Sequence, residues 1–233
     1  MKICSFGIPG IGIGKHNIKD PRLDQADKLV EAKKEVYAQV DVVGEEETLT
    51  ADAIVVPRDK LLDVIIKDLE FIETRLERGA ADAERAVLDK IKNHLEQEGT
   101  MFTAGLTPEE LAAVAAHGFH TNKPVTVAEP AELADPDAVM LRAFRESGYI
   151  CFLTVGGKEN RAWPIRKGIT AWEAGGAVHT DIQKGFIRAE IIAFDDFIAA
   201  GGETEAKRAG KQRLEMKTYV MQDYDLTNFR FNK

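Results

Sequence analysis

Short continuous apolar runs alternate with longer segments of helical period along the first half of this 233-residue chain. Met1–Ile8 predicts a buried strand closed by Pro9-Gly10. Asp20–Glu35 is polar and helix-compatible. Val36–Val43 and Ala51–Pro57 (ADAIVVP) predict two more strands, and Val125–Ala128 (VTVA), after Pro124, another. Runs of this kind with helices between them fit a parallel sheet covered on both faces. Between the third and fourth runs the period changes. Leu62, Ile65, Leu69, Ile72 and Leu76 recur at spacings of three and four, which is an apolar seam down one helix. Arg78-Gly-Ala-Ala-Asp82 breaks the seam, with Asp82 as the expected N-cap, and Leu88, Ile91 and Leu95 carry it onto a second helix. Two helices with so short a link fold back as an antiparallel hairpin. Thr107-Pro-Glu-Glu110 opens a third helix with a cap residue, a proline in the first turn and a capping-box glutamate.

From Tyr149 onward β-type runs dominate: YICFLTV, RAWPI, GFIRAEIIAF and the final TYVMQDYDLTNFRF. Gly156-Gly157 predicts a hairpin turn between the first two. In GFIRAEII, alternation places Phe186, Arg188 and Glu190 on one face and Ile187, Ala189 and Ile191 on a core-facing side. The net charge of −8 argues against a nonspecific nucleic-acid binder, but the acidic excess lies wholly in residues 1–148. The remainder is slightly basic and is the better face for an anionic partner. Cys4 and Cys151 sit in apolar runs, as buried free thiols do, without disulfide or zinc spacing. His117 and His120 are three apart, with no third metal ligand evident. No nucleophile elbow or Cys–His arrangement marks a catalytic residue. No signal-peptide pattern and no apolar run near the ~20 residues of a membrane span is visible, so the cytoplasm is expected.

The segments Arg161-Ala-Trp163, His179-Thr-Asp181, Lys184-Gly-Phe-Ile-Arg-Ala-Glu190, Phe194-Asp-Asp-Phe197, Gln222-Asp-Tyr-Asp225 and Phe229-Arg-Phe-Asn232 together resemble the C-terminal domain of the YchF / Obg-like ATPase family. That domain is a TGS domain, a β-grasp module. One residue departs from the pattern: Tyr224 stands where the family has Gly in a tight turn, and a change of turn type is expected there. The N-terminal part resembles the same family in thinned form, through MKI…GIPG…GK, Asp20-Pro-Arg-Leu23, Val40-Asp-Val-Val-Gly44, Ala51-Asp-Ala-Ile-Val55, Asp68 through Arg78, and Lys123-Pro-Val125. The resemblance implies an α/β fold in two parts. Residues 1–148 form a reduced P-loop-type parallel sheet with a helical hairpin at about 59–118, and residues 149–233 form the β-grasp (TGS) domain.

The resemblance also implies a nucleotide site, and the residues contradict its chemistry. A phosphate loop reads G-x-x-x-x-G-K-[ST]. Counting back from Gly14-Lys15, Pro9 holds the first glycine position and His16 the Mg²⁺-binding hydroxyl position. Proline removes an N–H, and imidazole is a poor ligand for a hard cation. Only Glu45–Thr50, Glu-Glu-Glu-Thr-Leu-Thr, separates Gly44 from Ala51, where the family carries its second switch. The base-reading Asn-x-x-Glu is here Glu129-Pro-Ala-Glu132. Gly10, Gly12, Gly14, Lys15, Asp41, Gly44 and Glu132 are therefore expected as vestiges of a nucleotide site. No cofactor is expected, ATP with Mg²⁺ being the alternative, and the glycines are expected to turn the chain from strand into helix. Arg161, Trp163, His179, Lys184, Phe186 and Arg188 are the candidate contacts to RNA or a ribosomal partner. Neither membrane binding nor DNA sequence recognition is expected.

Overall fold

The structure, a computed structural model, describes residues 1–232. From the N-terminus, strands β1 (Lys2–Ser5) and β2 (Gly14–Ile18) are followed by helix α1 (Pro21–Leu29) and strands β3 (Glu35–Val36), β4 (Ala38–Val43) and β5 (Ala53–Pro57). Then come helices α2 (Leu61–Glu77), α3 (Asp82–Leu95) and α4 (Pro108–Ala113), strand β6 (Val125–Ala128) and helix α5 (Pro136–Glu146). The chain continues through β7 (Tyr149–Thr154), β8 (Asn160–Arg166), α6 (Ala171–Val178), α7 (Thr180–Lys184), β9 (Phe186–Ile192), α8 (Phe194–Ala200), α9 (Glu203–Arg208), β10 (Arg213–Glu215) and β11 (Leu226–Phe231). It is a mixed α/β chain that divides into two compact units, Met1–His16 with Val40–Ser147, and Asn17–Gln39 with the chain from Gly148 onward. No helix among the described residues is long and apolar enough to cross a membrane.

The first unit is built on a five-stranded sheet of order β2-β4-β1-β5-β6, in which β1 runs parallel to β4 and β5, and β5 parallel to β6. All five residues of β5 are buried, as befits a strand covered on both faces. Helices α2 and α3 form the expected hairpin, and Val64, Ile65, Ile72, Leu88, Ile91 and Leu95 join Cys4, Phe6 and Ile54 in one core. The seam on α2 differs from the expected one at its start. Leu61 and Val64 face the core, whereas Leu62 is 56% exposed. The buried stripe includes a charged residue, Asp68, which the apolar pattern skipped. Its carboxylate accepts hydrogen bonds from the His120 and Thr121 N–H groups (2.7 and 2.9 Å) and from Thr121 Oγ1 (2.7 Å), which compensate its burial. Asp82 is the first helical residue rather than the N-cap, a position taken by Ala81. Thr107 and Glu110 form the expected capping box.

The second unit holds a six-stranded mixed sheet of order β10-β9-β11-β7-β8-β3. β7 and β8 make an antiparallel hairpin across Gly156 and Gly157, both at positive φ. β11 runs parallel to β7 and antiparallel to β9. Ile150, Phe152, Ile165, Ala171, Ala174, Ala189, Ile191 and Phe229 form the core on one face. The alternation expected for β9 is corrected at its start, where the register with β11 shifts between Arg230 and Phe231: Ile187 is exposed and Phe186 packs against the core with Ala189 and Ile191. Glu190 is buried, where Arg230 and Asn228 bond its carboxylate.

Residues 17–39, expected in the N-terminal domain, pack in this second unit. Asp20 caps α1 and Pro21 opens it, but the helix ends at Leu29 rather than Glu35, because Val30 turns to extended backbone. The side chain of Asn160, fully buried on β8, fixes that turn. Its amide donates to Asp27 Oδ1 and the Val30 carbonyl, both at 2.7 Å, and β3 then adds to β8 in parallel. The turn at Tyr224 is also corrected. Instead of changing type it keeps a positive φ of 63°, and Tyr224 is fully buried at 1% exposure. The Arg22 guanidinium lies 3.7 Å from the centre of its ring, and Phe194 packs edge-on at 5.5 Å. Packing thus holds a side chain in a backbone region that favours glycine.

Candidate functional site

In parallel α/β sheets ligands bind at the carboxyl ends of the strands. Here those ends are Phe6-Gly7 after β1, Gly44 after β4, Arg58 after β5 and Glu129 after β6. The chain's own side chains lie over all four. Lys60 covers Gly7 so closely that a Cβ there would collide with its ammonium group, and a Cβ on Gly44 would stand 2.6 Å from the Glu46 carboxylate. Arg58 and Glu129 pair with each other at 2.6 Å. Glu132 accepts from the Glu129 N–H (2.8 Å) and from Arg142 (3.0 Å). Gly10 faces the Pro136 ring, and nothing lies within 4 Å of where a Cβ on Gly12 or Gly14 would stand.

The glycine-rich loop does not enter a helix. Gly14–Ile18 is a strand at the sheet edge, paired with β4, so its backbone belongs to a sheet rather than to the converging N–H groups of a helix N-terminus. Lys15 pairs with Asp41 at 2.7 Å and holds that carboxyl below its usual range. Asp41 is in register with Lys2, the first residue of β1, and not with the carboxyl end of that strand. His16 faces Asp137 at 3.3 Å. Lys15 and Asp41 therefore satisfy each other.

The segment after Gly44 is pinned. Lys123 Nζ donates to three carbonyls, those of Thr48 (2.7 Å), Leu49 (2.9 Å) and Ala51 (2.8 Å), and burial lowers its pKa below the ordinary lysine value. Nothing in its sequence neighbours announces this role, and the same holds for Lys60. Both lysines are placed by the fold alone.

In the second unit an open cleft of about 890 Å³ is lined by His179, Lys184, Phe186, Ile187, Phe231 and Asn232, with Asp181, Ile182 and Gly185. It brings together three of the candidates expected from sequence. His179 caps α7, its Nδ1 accepting from the Asp181 N–H at 3.1 Å. Lys184 ends the same helix, and Phe186 begins β9 half-buried, edge-on to Phe229 at 6.1 Å. Gly185 is obligatory between them, because a Cβ there would run into the Asn232 carbonyl. The cleft thus offers one ammonium group, one imidazole, one carboxylate from Asp181 and two aromatic rings.

The other three candidates lie elsewhere. Arg161 stacks on Trp163 at 4.1 Å, and the indole N–H donates to Thr154 Oγ1 at 2.9 Å while its ring stacks on Phe152. Arg188 is exposed and stands in register with Arg230 across β11. Ile187, on the core side by alternation, is a surface residue, and Phe231 and Asn232 line the cleft although only the Phe229–Asn232 motif marks them in the sequence.

A family model described as YchF-GTPase_C, a protein of unknown function (DUF933), matches residues 149–232, the stretch that carries the cleft. The ribosome-binding ATPase YchF of Haemophilus ducreyi is 32% identical over 252 positions, which cover 84% of this chain and 68% of that protein. Its namesake in Haemophilus influenzae is 34% identical over 226 positions, covering 73% and 62%. The chain thus spans about two thirds of the length of these relatives. The structure of the Schizosaccharomyces pombe YchF GTPase superposes with a TM-score of 0.72 over 99% of this chain and 97% of that one, at 19% identity, which shows the shared fold. Sequence match across both units and agreement of the fold lead to one conclusion: the chain belongs to the YchF family.

Proposed function

We propose that this chain is a nucleotide-independent binding protein that contacts the ribosome, or another RNA-containing partner, through its C-terminal unit, read as a TGS domain. The observation that carries the proposal is the convergence of His179, Lys184 and Phe186 on one open cleft. The relatives named ribosome-binding ATPases support the partner. The pairing of Lys15 with Asp41, and the strand that follows the glycine-rich loop, support the independence from nucleotide. Co-sedimentation with ribosomes at low salt tests the partner. Association is expected, weakened by Lys184→Glu, and its complete absence at low salt overturns the proposal. Isothermal titration with ATP and Mg²⁺ tests the second half, with no heat of binding expected. The competing function is a weak ATPase, and a micromolar affinity abolished by Lys15→Ala would establish it instead.

A further inference from the structure

Strand β10 closes one side of the six-stranded sheet, and among the described residues no strand lies beyond it. Leu214 and Met216 are 58% and 57% exposed. Trp172 and Val220 are exposed as well, on segments tied to the chain just after β10: the Trp172 N–H donates to the Lys217 carbonyl (3.3 Å), and Val220 bridges Thr170. An outer strand presents unpaired backbone N–H and C=O groups that can template a further strand, and proteins commonly blunt such an edge with charge. Here the charges do not repel a copy of the same edge. Arg213 and Glu215 flank Leu214 with opposite signs.

We propose that β10 pairs antiparallel with β10 of a second copy of this chain, about a two-fold axis at Leu214. In that register Leu214 meets Leu214, and Arg213 of each copy meets Glu215 of the other, so two opposite-charge cross-strand pairs form by symmetry. One step further out Gln212 stands opposite Met216. Beyond that Lys211 stands opposite Lys217, a like-charged pair that ends the ladder. Within one chain Arg213 already lies 3.1 Å from Glu215 and donates to the Tyr219 hydroxyl at 3.0 Å. Pairing therefore exchanges a same-strand contact for a cross-strand one and matches both charges of the strand itself. An acidic or a basic foreign peptide would match one of the two charges and oppose the other, whereas a second copy matches both. Exposed Met216 adds an apolar side chain at the end of the short ladder.

Sedimentation velocity of the full chain over a concentration series tests this. The wild type is expected to shift from monomer to dimer as concentration rises. Glu215→Arg or Arg213→Glu, each turning two attractions into two repulsions, is expected to weaken self-association about tenfold. The double reversal Arg213→Glu with Glu215→Arg is expected to restore it. Leu214→Lys, at an exposed side chain, is expected to give a comparable loss without altering either partner charge. A wild type that stays monomeric throughout, a dimer indifferent to the single reversals, or a double reversal that fails to restore association overturns the proposal.

Discussion

Tyr224 shows how a single position can obey packing against its own backbone preference. A non-glycine residue in the left-handed region costs on the order of 1–3 kcal/mol. Burying a large ring beneath Arg22 and beside Phe194 contributes more than that. Tyr224→Gly is therefore expected to destabilise the protein by about 2 kcal/mol, since relief of strain recovers only part of the lost contacts. The hydroxyl of the same residue is buried and has no hydrogen-bond partner among the described residues, and burial drives its pKa far above the ordinary tyrosine value. Tyr224→Phe removes that unsatisfied group, and a gain of about 1 kcal/mol is expected. Urea unfolding of both variants separates the two contributions. The substitution itself was legible in the sequence, as a tyrosine where a turn wants glycine. The response was not, because the compensating partner Arg22 lies 202 positions away in the chain and no local pattern joins the two.

At the scale of elements, the helical hairpin of α2 and α3 was legible because its apolar period is strong, and its one misplaced register traces to Asp68. Hydrophobic pattern cannot anticipate a buried carboxylate whose partners, His120 and Thr121, arrive from a later loop. A second polar cluster ties the hairpin together. Arg75 grips Glu84 through two hydrogen bonds of 2.7 and 2.8 Å, and His117 lies 2.8 Å from the same carboxylate. Arg75 first, and His117 after it, lower the Glu84 pKa to about 2. A carboxylate held below its unfolded value stabilises the fold above that unfolded value, and the contribution is lost as pH falls from about 4.5 towards 2. Glu84→Gln is expected to lower the melting temperature at neutral pH and to flatten its decline across that acid window, as thermal melts at stepped pH would show. The loop after β4 depends on one side chain in the same way. Lys123→Met removes three charge-assisted bonds to carbonyls and is expected to cost about 2–3 kcal/mol, with faster amide exchange confined to residues 45–52.

For the whole molecule, the motifs of the last 85 residues carried the family likeness, and the fold agrees with it over nearly the full chain. The candidate contacts were legible as residue types but not as a surface. His179, Lys184 and Phe186 are near one another in sequence and meet in one cleft, whereas Arg161 and Trp163 resemble the same motif set and serve the packing of β8 instead. The strand after the glycine-rich loop was not legible either, because GKHNI has no alternation strong enough to override the expectation of a helix. The division into units has a further consequence, for the order in which the chain is made. Residues 17–39 leave synthesis early, yet β8, the strand that α1 and β3 pack against, begins only at Asn160. More than a hundred residues must follow before that surface is covered, and the first unit is itself interrupted by the same excursion. The second unit thus folds late and through long-range closure, which is slow. A fragment begun at Gly148 would lack the stretch that Asn160 and Asp223 hold, and its melting temperature is expected to fall well below that of the intact chain, measurable by circular dichroism. Residues 17–39 therefore stay unpacked on the growing chain until the C-terminal strands emerge.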